Sequence, residues 1–443
     1  MSNPILIKNG IIITLGEQCR VLTNHAILIE NGFIKQLAPS KKINAPDADT
    51  IDATGKVIMP GFINAHMHFY STLVRGLGKA KPAANFQEVL ENLWWRLDKK
   101  LSQEDTYYSA LLMALTAISK GTTTIIDHHA SPGAVHGSLM EIAQAVQKTG
   151  LRASLCYELS DRDGSEIAQA GLEENENFIK YCQAQNNEQL KAMFGLHASF
   201  TISEQTLEKA SDVGHKLNAG FHVHVAEAKS DQMATLKQSD MRVVERFYKH
   251  NILGPRSIAV HCVHINEAEM AILADSDTIV VHNPQSNLNN AVGVADIVKM
   301  TGKGILVGLG TDAMTVNMLE EVRVALWAQH LLHNNPSIGF MDAINTLFLN
   351  NRRIANRFWN VNLGEIAENA AADIVLIDYD PPTPLDETTV WGHLLFGISQ
   401  ASVDTTIANG QVLMQDKKLL LDIDENEINA KAREVAAKLW ERF

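Results

Sequence analysis

Short apolar runs recur along the middle of the chain, and stretches with helical spacing separate most of them. The runs are KVIMPGFINAH (56–66), GTTTIIDHH (121–129), LRASLCYEL (151–159), AMFGLHAS (192–199), AGFHVHVAE (219–227), SIAVHCVH (257–264), DTIVVHN (277–283) and GILVGLGTD (304–312), eight in all. Between them, TYYSALLMALTAISKG (106–121) and VHGSLMEIAQAVQKTG (135–150) each end on glycine, as a helix C-terminus often does. Parallel strands are covered on both faces and so lose polar alternation. Eight such runs alternating with helices therefore predict a (β/α)₈ TIM-type barrel. An open doubly wound sheet is the alternative, but no GxGxxG follows the first run.

The two ends of the chain read differently. PILIKNGIIITL (4–15) and HAILIENGFIKQLA (25–38) each carry Asn-Gly between β-branched runs, and TTIANGQVLMQ (405–415) repeats the signal after ADIVLIDYD (372–380). Asn-Gly between apolar runs predicts a type I′ hairpin. Each end is too small to fold alone, so both are expected to pack together as one small β-sandwich. The expected division is 1–58 with 361–422 for the sandwich, 59–360 for the barrel, and 423–443 for a C-terminal amphipathic helix, ENEINAKAREVAAKLWERF.

Composition narrows the partners. With 443 residues, 46% hydrophobic and 20% charged, the chain can bury a large core. A formal net charge of -13 supplies no positive field for nucleic acid or an anionic membrane, which leaves a small-molecule ligand. Its four cysteines, Cys19, Cys156, Cys182 and Cys262, lie far apart without a CxxC, which fits reduced thiols. The start MSNPILIKNGIII has no basic region leading into a long apolar stretch, so a cytoplasmic location is expected. The acidic surface and helical C-terminus are compatible with a homodimer.

A barrel of this kind carries its chemistry at the C-terminal strand ends, and polar residues collect there. His66 and His68 close the first run, His128 and His129 the second, His197 the fourth, His222, His224 and Glu227 the fifth, His261 the sixth, His282 the seventh and Asp312 the eighth. Residues two apart on a strand share a face, so His66 and His68 can converge on one ion. Alone, the pair suits buried core histidines equally well. His224 with Glu227 suits a satisfied buried pair as readily as a site, and Asp312 alone suits a helix N-cap.

Taken in order, PGFINAHMH, HVHVAE, AVHCVH, HNPQSNLNNAVG and GLGTDA resemble the strand-end motifs of the amidohydrolase superfamily, in its aminohydrolase and chlorohydrolase subgroup of deaminases. NLWWRLDKKL (92–101), IDHHASP (126–132), SNLNNAVG (286–293) and AAKLWERF (436–443) resemble a branch of aminohydrolases associated with selenium metabolism. The resemblance implies that His66, His68, His224 and Asp312 bind one divalent metal ion, Zn²⁺ or alternatively Fe²⁺. It also implies that Glu227, His261 and Asp312 are catalytic. No barrel-strand lysine stands out as a bridge for a second metal.

The implied activity is that of a metal-dependent hydrolase, using a metal-activated hydroxide to deaminate or hydrolyse a C–N bond of a nitrogen heterocycle or amidine-like small molecule. Hydrolytic dehalogenation, amide hydrolysis, or a non-catalytic metal-binding role in a selenium or molybdenum enzyme pathway are the alternatives. The segment FYSTLVRGLGKAKPAANFQEVLENLWWRLDKKL is long for a βα loop, as active-site lids often are. Its Trp94 and Arg75, with His129 and His197, are the candidate substrate contacts. Adjacent helical residues diverge, so at most one of Trp94 and Trp95 is expected to face the substrate.

Overall fold

In the computed structural model, which describes residues 3–443, the eight runs supply eight parallel strands. These are Phe62–Met67, Thr122–Asp127, Arg152–Leu155, Phe194–Ala198, Phe221–Val225, Ile258–His261, Ile279–His282 and Val307–Leu309. The first three pair in sequence, as do the last five. Parallel bridges Leu159 to Leu196 and Met67 to Asp312 join the two groups and close the ring. At the closure Asp312 N–H donates to His66 O (3.1 Å), so the last strand end is seated directly on the first. Every residue of these strands is buried, which is why their sequences lack the regular apolar–polar alternation of a half-exposed strand.

The two glycine-ended helices run Gln103–Ser119 and Ser138–Thr149. The first opens on a capping box in which Ser102 and Asp105 satisfy each other's backbone N–H groups. The second stops at Gly150 in the left-handed region (φ 78°), which glycine adopts without steric cost. A short strand, Leu190–Ala192, also pairs with the third barrel strand just ahead of the fourth. Only its last residue, Ala192, falls within the fourth apolar run, and Lys191 interrupts the pattern before it, so the sequence does not announce this strand.

Both ends of the chain build the flanking sheets. One sheet orders Phe33–Pro39, His25–Glu30, Ile5–Lys8 and Asp49–Asp52; the other includes Gln411–Gln415, Val403–Ala408, Ile374–Asp378, Lys56–Pro60 and Ile11–Ile13. Isoleucines from both sheets, among them Ile7, Ile12, Ile27, Ile58, Ile374 and Ile407, share one core. Asn31-Gly32 and Asn409-Gly410 turn hairpins with positive φ at both residues, as type I′ requires. Asn9-Gly10 does not. Ile5–Lys8 and Ile11–Ile13 lie in different sheets, and a Cβ on Gly10 would sit 2.8 Å from both Ala53 Cβ and Ile58 Cδ1. Glycine is needed there for close approach where the chain crosses between sheets, rather than for a hairpin.

The C-terminal helix, Glu425–Arg442, lies against Gln103–Ser119 and reaches the loop after the first barrel strand. Trp440 Nε1–H donates to Leu73 O (2.8 Å), and the Arg96 guanidinium sits 4.1 Å from the Phe443 ring centre. We read the sandwich, the barrel and this helix as three units, divided near residues 58, 360 and 422. Among the described residues, no helix is long and apolar enough to cross a membrane.

Candidate metal and active site

The barrel mouth gathers side chains from the ends of the first, fifth, sixth and eighth strands and from the segment after the seventh. His66 Nε2 lies 3.5 Å and His68 Nε2 2.9 Å from Asp312 Oδ1, while His224 Nε2 is 3.3 Å from His68 Nε2. His261 Nε2 stands 3.5 Å from Glu227 Oε2 and 3.9 Å from Asp312 Oδ2. Ser286 Oγ donates to Asp312 Oδ2, and Asn290 Nδ2 reaches Glu227 Oε1 at 3.5 Å.

The backbone decides which nitrogen faces inward. A carbonyl only accepts, so His68 Nδ1–H donates to His128 O (2.6 Å) and His224 Nδ1–H to His197 O (3.0 Å). Both Nε2 lone pairs are then left pointing at Asp312 and at each other. Carbonyl acceptors of this kind orient histidine ligands in metal sites. His66 uses Nδ1 on His222 Nε2 (2.9 Å), and its buried Nε2 has no hydrogen-bond partner.

Several lone pairs and a carboxylate crowded out of water demand a positive charge. Burial drives His66 down to about 3, leaving it neutral, whereas His68, despite burial, is pulled up to about 9 by Asp312, so that a proton answers the demand. A divalent cation meets it better. The ligand atoms of His66, His224, His261 and Asp312 all lie within 4.8 Å of one another, and imidazole with carboxylate suits zinc or another first-row ion.

The two carboxyls at the centre are set apart. Burial, and then the charge of Asp312, pushes Glu227 well above the usual range. Burial also opposes ionisation of Asp312, yet the imidazoles beside it, above all the protonated His68 at 2.9 Å, hold it well below. Two neighbouring carboxyls with separated affinities make an acid and a base.

A cavity opens over this cluster, lined by His68, Glu227, His261 and Asp312 below and by the loop after the first strand above. That loop contributes Tyr70, Phe86, Leu90, Trp94, Trp95 and Asp98. Both tryptophans line the cavity, against the expectation of one. Leu90–Trp94 is a π-helical turn, whose wider winding changes the angle between successive side chains. Trp94 meets Tyr70 edge-on, and Trp95 faces His197 and Phe200. His197 lines the cavity, with Nε2 3.4 Å from Glu158 Oε1.

His129 and Arg75 do not reach the cavity wall. The second strand ends at Asp127, after which His129 turns to Ser131 Oγ (2.9 Å) while His128 points inward to Glu158. Arg75 is exposed just past the short helix Phe69–Val74. The arginine beside the cavity is Arg162, which pairs with Asp98 and covers the Trp95 ring at 5.5 Å. Burial nonetheless drives the Asp98 carboxyl up to about 7. Asp98, Glu158, Ser286 and Asn290 were not singled out from the sequence. Glu158 was within reach of the strand-end rule, since it is the last polar residue of the third run, one place before its end.

An eight-stranded barrel with imidazoles and carboxylates converged at its C-terminal mouth defines a metal-dependent hydrolase. The amidohydrolase family profile matches residues 57–413, and this chain belongs to that family. It is 31% identical over 443 residues to a 5'-deoxyadenosine deaminase of Methanosarcina acetivorans, covering 99% of each chain. It is 32% identical over 418 residues to a 5-methylthioadenosine/S-adenosylhomocysteine deaminase of Thermococcus sibiricus, covering 93% of this chain and 94% of the relative. Among solved structures it resembles a zinc-bound adenosine deaminase of Xanthomonas campestris (TM-score 0.86, 21% identity, 98% of each chain). It also resembles a zinc complex of atrazine chlorohydrolase from Arthrobacter aurescens (TM-score 0.82, 20% identity, 98% of this chain and 100% of that one).

Proposed function

We propose that the protein hydrolytically deaminates an amino-substituted nitrogen heterocycle, with adenine nucleosides of the kind named for its relatives as the first substrates to test. The observation that carries this reading is the convergence at the barrel mouth: ligand atoms of His66, His224, His261 and Asp312 lie within 4.8 Å of one another, and His261 Nε2 stands 3.5 Å from Glu227 Oε2 and 3.9 Å from Asp312 Oδ2. His66, His68, His224 and Asp312 are the proposed ligands, and Zn²⁺ is preferred over Fe²⁺. A divalent ion held there supplies Lewis-acid activation of water near neutral pH.

The chain's own groups handle the protons. Asp312 takes one from the attacking water, and Glu227 gives one to the ring nitrogen beside the carbon under attack. His261 stands between the two carboxylates and holds the developing oxygen charge. Asp312 then passes its proton to the departing amine, which leaves as ammonia, and the new hydroxyl returns a proton to Glu227 as the carbonyl forms. Each transfer is worth roughly 10²- to 10⁴-fold in rate. The unpaired cysteines support the cytoplasmic placement.

The test is ammonia release from 5'-deoxyadenosine, 5-methylthioadenosine, S-adenosylhomocysteine and a wider purine, pyrimidine and pterin panel, with metal content measured alongside. Asp312→Asn and Glu227→Gln should each lose about 10²-fold or more. A metal-replete wild type that releases no ammonia from any of them overturns the reading.

A further inference from the structure

Glu158, at the end of the third barrel run, is 7% exposed and lines the same cavity. Its Oε2 is fully enclosed and accepts no hydrogen bond; Oε1 is approached only by His197 Nε2, at 3.4 Å. That approach is not a hydrogen bond. Thr201 spends its hydroxyl proton on Ala198 O (3.0 Å), so it accepts from His197 Nδ1–H (2.6 Å), and the neutral imidazole turns a lone pair toward Glu158. His128 flanks the other side. Its Nε2–H donates to His222 O (3.1 Å), and its own Nδ1 lies 3.2 Å from Glu158 Oε2.

Two acceptors 3.4 Å apart therefore border the cavity with no protein donor between them. Buried acceptors left this way are costly, and they pair with whatever donor the cavity admits. The position is close to the reaction. The ligand atoms of Glu158, His197 and His224 lie within 4.8 Å of one another, and His224 is a proposed metal ligand. A group held at Glu158 thus neighbours the carbon under attack.

We propose that Glu158, with His197, selects the leaving group by accepting N–H bonds from a substrate amino or ring N–H group beside that carbon. This rests on the deamination reading and sharpens it. A chloro or alkoxy substituent offers the carboxylate no proton and sets lone pairs against it, whereas an amino group supplies two donors. A site built for a donor rejects an analogue that lacks it far more strongly than an apolar pocket rejects a change of size.

The experiment compares 5'-deoxyadenosine with its 6-chloro analogue, in the wild type and in Glu158→Gln. Binding is followed by quenching of Trp94 and Trp95 fluorescence, turnover by ammonia and chloride release, and metal content is measured in each protein. The wild type should prefer the amino compound. Glu158→Gln should lose about 10²-fold or more of that preference while keeping its metal; Glu158→Asp should recover part of it. A wild type without preference between the pair, in binding or in turnover, overturns the proposal, as does a metal-loaded Glu158→Gln that retains the wild-type preference. Preferential amino binding with no ammonia released from the wider panel would instead count against the deamination reading alone.

Discussion

His222 should set the metal affinity without touching the metal. It is fully buried, with Nε2 2.9 Å from His66 Nδ1 and Nδ1 3.6 Å from Cys156 Sγ; the thiol in turn lies 3.4 Å from Asp127 O. The direction of this chain is forced from its far end. A carbonyl only accepts, so the thiol proton points to Asp127, sulfur accepts from His222 Nδ1–H, and His222 Nε2 accepts from His66 Nδ1–H. His66 is thereby held in the one neutral tautomer whose Nε2 lone pair faces Asp312.

Replacing His222 by phenylalanine leaves a buried N–H unpaired, at a cost of about 1–3 kcal/mol, and frees the His66 ring to turn. Outer partners of histidine ligands are worth about 10- to 100-fold in metal affinity, or about 1.4–2.8 kcal/mol. Zinc affinity measured by chelator competition should weaken by that factor in His222→Phe. His222→Gln, which keeps a carbonyl acceptor, should recover part of it. Thermal unfolding of the metal-free proteins separates loss of orientation from loss of fold. A stably folded His222→Phe that binds zinc as tightly as the wild type refutes the argument.

Other outcomes follow from the same geometry. A Cβ on Gly310 would lie 2.5 Å from Asn283 Oδ1 and 2.6 Å from His66 O. Gly310→Ala should therefore cost about 1–3 kcal/mol in urea unfolding and lower the metal content, since the main chain of His66 is what must move. An unchanged midpoint with full metal would show that the strand ends give way easily. Asp231, whose carboxylate accepts from Ala226 N–H (2.8 Å) in the turn that carries Glu227, is driven by burial from 3.8 up to about 7. Its folded-state affinity for a proton exceeds the unfolded one, so the native state binds more protons between those values. The stability it contributes is present at low pH and lost as pH rises through about 7. Asp231→Asn should flatten the fall in urea midpoint between pH 5 and 8; an identical pH profile in the variant would remove Asp231 from that role.

Much of this protein is legible along the chain. The eight barrel strands announce themselves because parallel strands buried on both faces are rich in apolar residues and lose polar alternation. His66, His68, His224, His261 and Asp312 stand at or near the ends of such runs, a placement that buried core residues share, and it is the resemblance of the surrounding motifs to the amidohydrolases that singles them out. Asn31-Gly32 and Asn409-Gly410 specify their hairpins through local φ alone. Asn9-Gly10 shows the limit, since the same dipeptide there serves a crossing between sheets, and what distinguishes it is the nearness of Ala53 and Ile58 in space.

The tertiary structure decided whatever depends on contacts between distant segments. Which ring nitrogen of His68 and His224 faces the metal position is set by the carbonyls of His128 and His197, tens of residues away. The exclusion of His129 in favour of His128 follows from where the second strand stops. The entry of both tryptophans follows from one π-helical turn. Glu158 and Asp98 became part of the cavity only once the barrel closed and the long loop folded over it. Periodicity records which face of an element is buried, but the pairing of a buried acceptor with its donor is a property of the assembled barrel, and there the substrate is chosen.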